Sequence, residues 1–189
     1  MNISIEQRQK NLNLFKSKLE DCGINTSKLM KLYGEKLQDS TFAFSNKENQ
    51  FCGDGTLLHT VMRVLTPMAL KLNEALSMGG KSVDDKMLIK VCFLHQIAKC
   101  VMVSPNDNKW EIENRGLMYK FNDYSFALKM GMRSIAMCIQ CGIELTENEL
   151  EAMSNLDKEE TKQTKFYSSP LAVILKQANE LTDILSKKN

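Results

Sequence analysis

Two histidines occur in the 189 residues, His59 and His95, and each sits inside an apolar stretch, GTLLHTVMRV and CFLHQIAKC. An imidazole in such surroundings serves as a metal ligand, a proton carrier or a buried hydrogen-bonding group. The other candidates for chemistry are weaker. Cys138 and Cys141 have the spacing of half a zinc site, but no second pair and no nearby histidine completes four ligands, so they read as buried helix thiols. The string GGKS at residues 79–82 ends like a phosphate-binding loop, yet Ala75 stands where that loop needs glycine, and a helix-ending turn is the simpler reading. No GxSxG string is present and neither histidine has a neighbouring nucleophile, which leaves acyl transfer without support.

The strings around His59 and His95, together with PLAVILKQANELTD at residues 170–183, resemble in order and spacing the three signatures of the HD-domain phosphohydrolases, in particular a short family common in phages and bacteria. The likeness spans roughly residues 51–185 and takes in the loop around Trp110, Tyr119, the GMRSIAM string and the ELTENELEAM run. The resemblance implies an all-α HD-domain-like helical bundle with an N-terminal helical extension, and a site in which histidines and two aspartates hold a divalent metal. Carried over residue by residue, His59 and His95 stand at histidine positions, while Gln96 and Asn179 stand where the family has its aspartates. Met130 and Leu156 align with two further histidines.

The consequence follows from ligand chemistry. A water-activating divalent ion needs ligands that offset its charge, and an amide oxygen is a neutral, weaker donor than a carboxylate. Two imidazoles with two amides would hold zinc or nickel weakly and magnesium or manganese poorly. The expected protein is therefore a degenerate, catalytically inactive member, with His59, His95, Gln96 and Asn179 as a metal-free polar cluster and no required cofactor. Asp183, one helical turn beyond Asn179, and Asp54 are the two carboxylates that could restore a metal site. Arg63, Lys99 and Lys176 are candidates to hold a phosphate-containing, nucleotide-like ligand at the vacated position; equally, Lys99 and Lys176 could reach solvent along apolar surface. A protein partner, a residual metal-dependent phosphohydrolase using His59 and His95, and a purely structural or assembly role stay open as alternatives.

Apolar residues recur at helical spacing in nearly every segment, and strand-like alternation is scarce. The spacing predicts helices over about residues 4–22, with Ile5, Leu12, Phe15 and Leu19 on one face, and from Thr26, with Leu29, Met30, Tyr33 and Leu37. The polar run 39–55 reads as a loop separating an N-terminal hairpin, residues 1–40, from the main domain, residues 41–189. Helices are expected over about 56–76, kinked near Pro67, and over 84–102, the most apolar and central one. Residues 104–116 suggest a surface loop or short hairpin. Further helices are expected over 123–141, from Thr146, where Glu149 completes a capping-box pattern, and over 170–186 behind Ser169 and Pro170.

A net charge of +2 with 25% charged residues gives no field for non-specific nucleic-acid binding. No apolar run reaches the roughly 20 residues of a membrane span, no signal-peptide pattern opens the chain, and six cysteines in mostly apolar helical positions suit a reducing compartment. The expectation is a cytoplasmic protein. Oligomeric state is not encoded in any of these features.

Overall fold

The computed structural model describes residues 1–122, 128–155 and 168–188. The protein is mostly helical, with one small two-stranded sheet. In chain order the elements are α1 (Ile5–Asp21), α2 (Ser27–Asp39), α3 (Thr56–Thr60), α4 (Thr66–Ser77), α5 (Asp85–Leu94), α6 (Lys99–Met102), β1 (Val103–Pro105), β2 (Tyr119–Phe121), α7 (Met130–Gln140), α8 (Glu147–Asn155) and α9 (Pro170–Ser186). No helix among the described residues is long and apolar enough to cross a membrane.

Local sequence accounts for most helix ends. Ser4, Asp84 and Ser169 accept hydrogen bonds from the backbone N–H three residues on, which starts α1, α5 and α9. At α8 the capping box forms: the Glu149 carboxylate accepts from Thr146 N–H at 2.7 Å, and Glu149 also pairs with Lys90 at 2.9 Å in a nearly closed environment. The GGKS segment closes α4 as a turn, with Lys81 N–H reaching back to Leu76 O. The 104–116 segment is the connection of an antiparallel hairpin in which Val103 faces Phe121.

Three expectations change. The kink expected at Pro67 is instead a widened π-type turn over Val61–Leu65, with Thr66 N–H bonded to Val61 O. Pro67 has no N–H to offer the carbonyl of Arg63, and widening the turn just before it accommodates that loss. The helix expected over 84–102 breaks at residues 95–98, where the chain runs through tight turns before α6. Ala98 N–H donates to Ser134 Oγ at 3.1 Å rather than continuing the helical ladder. On α1, Ile5 is 73% exposed while Ile3, outside the helix, is buried; Phe15 and Leu19 do face the core. For the helix expected from residue 123, residues 123–127 lie outside the described residues, and α7 begins at Met130.

The boundary expected near residue 40 does not divide two cores. Phe15, Leu19, Leu29 and Leu37 from α1 and α2 belong to the same buried cluster as Leu88, Leu94, Met153 and Ile174. Phe15 stacks on Phe93 of α5 at 5.2 Å, and α5 touches α1, α4, α7, α8 and α9. The polar run after α2 is a tie between elements rather than a linker. Thr56 Oγ1 accepts from Phe42 N–H and donates to Gly53 O, and Asn49 Nδ2 donates to Ser186 Oγ at 2.6 Å at the end of α9.

Gly55 precedes α3 with φ +74°, and a Cβ there would lie 2.5 Å from Arg8 Cγ and 3.1 Å from Gln38 O. Gly55→Ala should therefore cost about 1–2 kcal/mol, the scale of a left-handed backbone forced on a residue with a side chain. Chemical denaturation checks this, and an unchanged midpoint would contradict it.

Candidate functional site

The break after α5 and the middle of α9 build the site. His95 is 1% exposed and held by two contacts: its Nδ1 lies 2.8 Å from Cys92 O and its Nε2 3.0 Å from Asn179 Oδ1. Both partners are carbonyl oxygens that only accept, so a neutral ring, with one proton, donates to one of them and leaves its other nitrogen against a lone pair. Burial, outweighing the Asn179 hydrogen bond, pulls the His95 pKa down to about 4, so the ring is neutral near pH 7.

Asn179 is placed by α9 and braced within it, its Nδ2 donating to Leu175 O at 2.9 Å. Its Oδ1 accepts from Gln96 Nε2 at 2.8 Å. The remaining oxygen, Gln96 Oε1, is buried with no hydrogen-bond partner. Three of the four residues expected in one polar cluster are thus joined by their side chains. His59, half-buried on α3, makes no hydrogen bond to them, and its own Nδ1 is buried without a partner. Burial and the nearby Arg63 charge both hold the His59 pKa below its usual value.

Two cavities meet here. The smaller, about 250 Å³, is lined by His95, Gln96, Asn179 and Asp183, with Met130 and Gly131 as an apolar wall and Lys99 at one side. The larger, about 680 Å³, lies between the loop after α2 and the end of α9, and shares Gln96, Lys99 and Asp183 with the first. Lys99 is half-buried. Its ammonium donates to Phe42 O at 2.6 Å and sits 4.4 Å from the centre of the Phe42 ring. Burial pulls the Lys99 pKa down to about 8, with the Asp183 carboxylate opposing. Asp183 is raised in turn by burial, against the pull of Lys99.

The remaining expected residues lie elsewhere. Arg63 is exposed, and neither Arg63 nor Lys176 lines either cavity. Asp54 is engaged away from the cluster, accepting from Tyr119 OH at 2.6 Å with Arg8 3.6 Å from its other oxygen. Leu156 lies outside the described residues. Phe42 is the residue that sequence reasoning missed. It sits in a polar run whose composition says loop, and no local pattern announces that its carbonyl and ring receive a lysine more than fifty residues on.

The donor set does not fit the divalent metal that the resemblance implies. Among the described residues no group of three or more histidine, cysteine, aspartate or glutamate side chains converges. At the cluster itself one imidazole meets two neutral amides, with Asp183 the one carboxylate lining that cavity. That is too little negative charge for a hard ion. Comparison of the chain with protein-family models, curated proteins and solved structures finds no match.

Proposed function

We propose that the protein is a catalytically inactive, HD-like helical binding protein whose joined cavities take a phosphate-containing ligand at Lys99. The observation that carries this reading is the Lys99 ammonium: half-buried at the junction of both cavities, it has no carboxylate within ion-pair distance among the described residues and spends one hydrogen on Phe42 O. Desolvating a lysine without a partner anion is costly, and a phosphate oxygen would supply the missing charge and accept its remaining hydrogens. The cluster beside it supports binding over hydrolysis, because amides replace the carboxylates that would balance a catalytic ion.

Calorimetric titration with inorganic phosphate and with a mononucleotide tests this. Saturable binding is expected, weakened about tenfold or more in Lys99→Met, as the loss of a charge-assisted hydrogen bond implies. The variant should melt no lower than the wild type, since methionine packs on the Phe42 ring without a charge to desolvate. Chelator-sensitive turnover of a phosphate ester that vanishes in His95→Ala would overturn the reading.

A further inference from the structure

The small cavity is rich in hydrogen-bond acceptors and poor in donors. The neutral His95 ring has one proton for two facing carbonyl oxygens, Gln96 Oε1 is buried with no hydrogen-bond partner, and the Asp183 side chain makes no hydrogen bond or ion pair among the described residues. A buried acceptor with no donor costs free energy, so the arrangement calls for a group that brings several N–H bonds and positive charge. A hard metal is disfavoured by the neutral donors, whereas a primary ammonium, with three hydrogens and one charge, matches the unpartnered amide oxygen of Gln96 and a single carboxylate.

The adjoining cavity has the opposite need. Among the described residues Lys99 has no carboxylate within ion-pair distance, although Asp183 lines the same space, and Lys187 adds a second, exposed cation to that lining. Glu48 lines it too, exposed to solvent. A half-buried ammonium and an exposed carboxylate that do not pair with each other suit a ligand carrying both complements. Resting on the reading that Lys99 holds a phosphate, we propose that the ligand is an aminoalkyl phosphate, its ammonium in the small cavity among His95, Gln96 and Asp183 and its phosphate at Lys99 in the larger one. The same chemistry exists as a free monoester and as a lipid headgroup.

Calorimetry on the full chain at pH 7 with O-phosphoethanolamine, ethyl phosphate and inorganic phosphate separates the claims. The amine-bearing ester should bind about tenfold tighter than ethyl phosphate, the worth of one charge-assisted contact. Asp183→Asn should shrink the ratio of the two esters' affinities toward one, and its melting temperature reports that the fold is kept. Flotation with phosphatidylethanolamine vesicles assigns the source: binding to them, or to the free monoester, supports the aminoalkyl phosphate. Equal affinity for the two esters overturns this inference and leaves phosphate binding at Lys99 standing. If no phosphate compound binds, both fall. Stoichiometric manganese or zinc that displaces the amine ester from wild type would also overturn the inference, because the acceptors would then belong to a metal.

Discussion

Acidification from pH 6.5 to pH 4 is expected to remove roughly 3 kcal/mol of folding stability through His95 alone, one proton's linkage across the gap between its unfolded and folded pKa values. Burial lowers the folded pKa to about 4, so the unfolded chain takes up the proton first as pH falls. The contribution is fully present above the unfolded pKa near 6.5, is lost progressively through the window, and stops changing below the folded value. His59, also lowered by burial, acts in the same direction. Urea denaturation at several pH values on wild type and His95→Gln measures the difference, since carboxylates titrating in that range are common to both proteins. A glutamine can meet Cys92 O and Asn179 without titrating, so the variant should lose less stability on acidification. Parallel profiles would mean that His95 titrates in the folded protein as it does unfolded, and that burial does not lower its pKa.

Whatever rests on periodicity and capping was legible in the residues. The capping box of Thr146 and Glu149, the Ser169 start of α9 and the core positions Phe15, Leu19, Leu29 and Leu37 follow from local spacing, and all are observed. So does the placement of Asn179 and Asp183 one turn apart on α9, and with it the presence of both at one cavity. The break at residues 95–98 had no such signal. HQIA contains neither glycine nor proline, and part of the interruption is made by Ser134 Oγ, which captures Ala98 N–H from a distant helix. That break turns Gln96 and Lys99 toward the α9 end and the loop after α2, so the site's shape was hidden where a tertiary contact overrides local preference. The exposure of Ile5 has a related cause: Ile3, two residues earlier and outside the helix, is the buried one. The relation of His59 to the cluster was read from resemblance, and side-chain hydrogen bonding joins only His95, Gln96 and Asn179.

Restoring both acids, Gln96→Asp with Asn179→Asp, should produce a protein that is markedly less stable without metal and recovers with it. At residue 179 the wild-type amide donates to Leu175 O, and a carboxylate would set oxygen against oxygen at that contact. Gln96→Asp would also remove the Nε2 that donates to residue 179. Two partly buried carboxylates beside a neutral imidazole carry unbalanced charge, which costs about 3–5 kcal/mol when no partner is supplied. A divalent ion is such a partner. With manganese at a hundred times its dissociation constant, the double variant should regain about 2.7 kcal/mol by mass action. Wild type, whose cluster offers amides in place of those acids, should show little change in melting temperature on the same addition. The contrast between the two proteins is the informative quantity. If wild type gains as much from manganese as the variant, the amides have not disabled the site, and residual metal-dependent hydrolysis becomes the better account of the protein. If neither responds, the turn carrying residue 96 and the helix carrying residue 179 do not present an ion-sized shell. The acceptor-rich cavity would then be left to organic ligands alone.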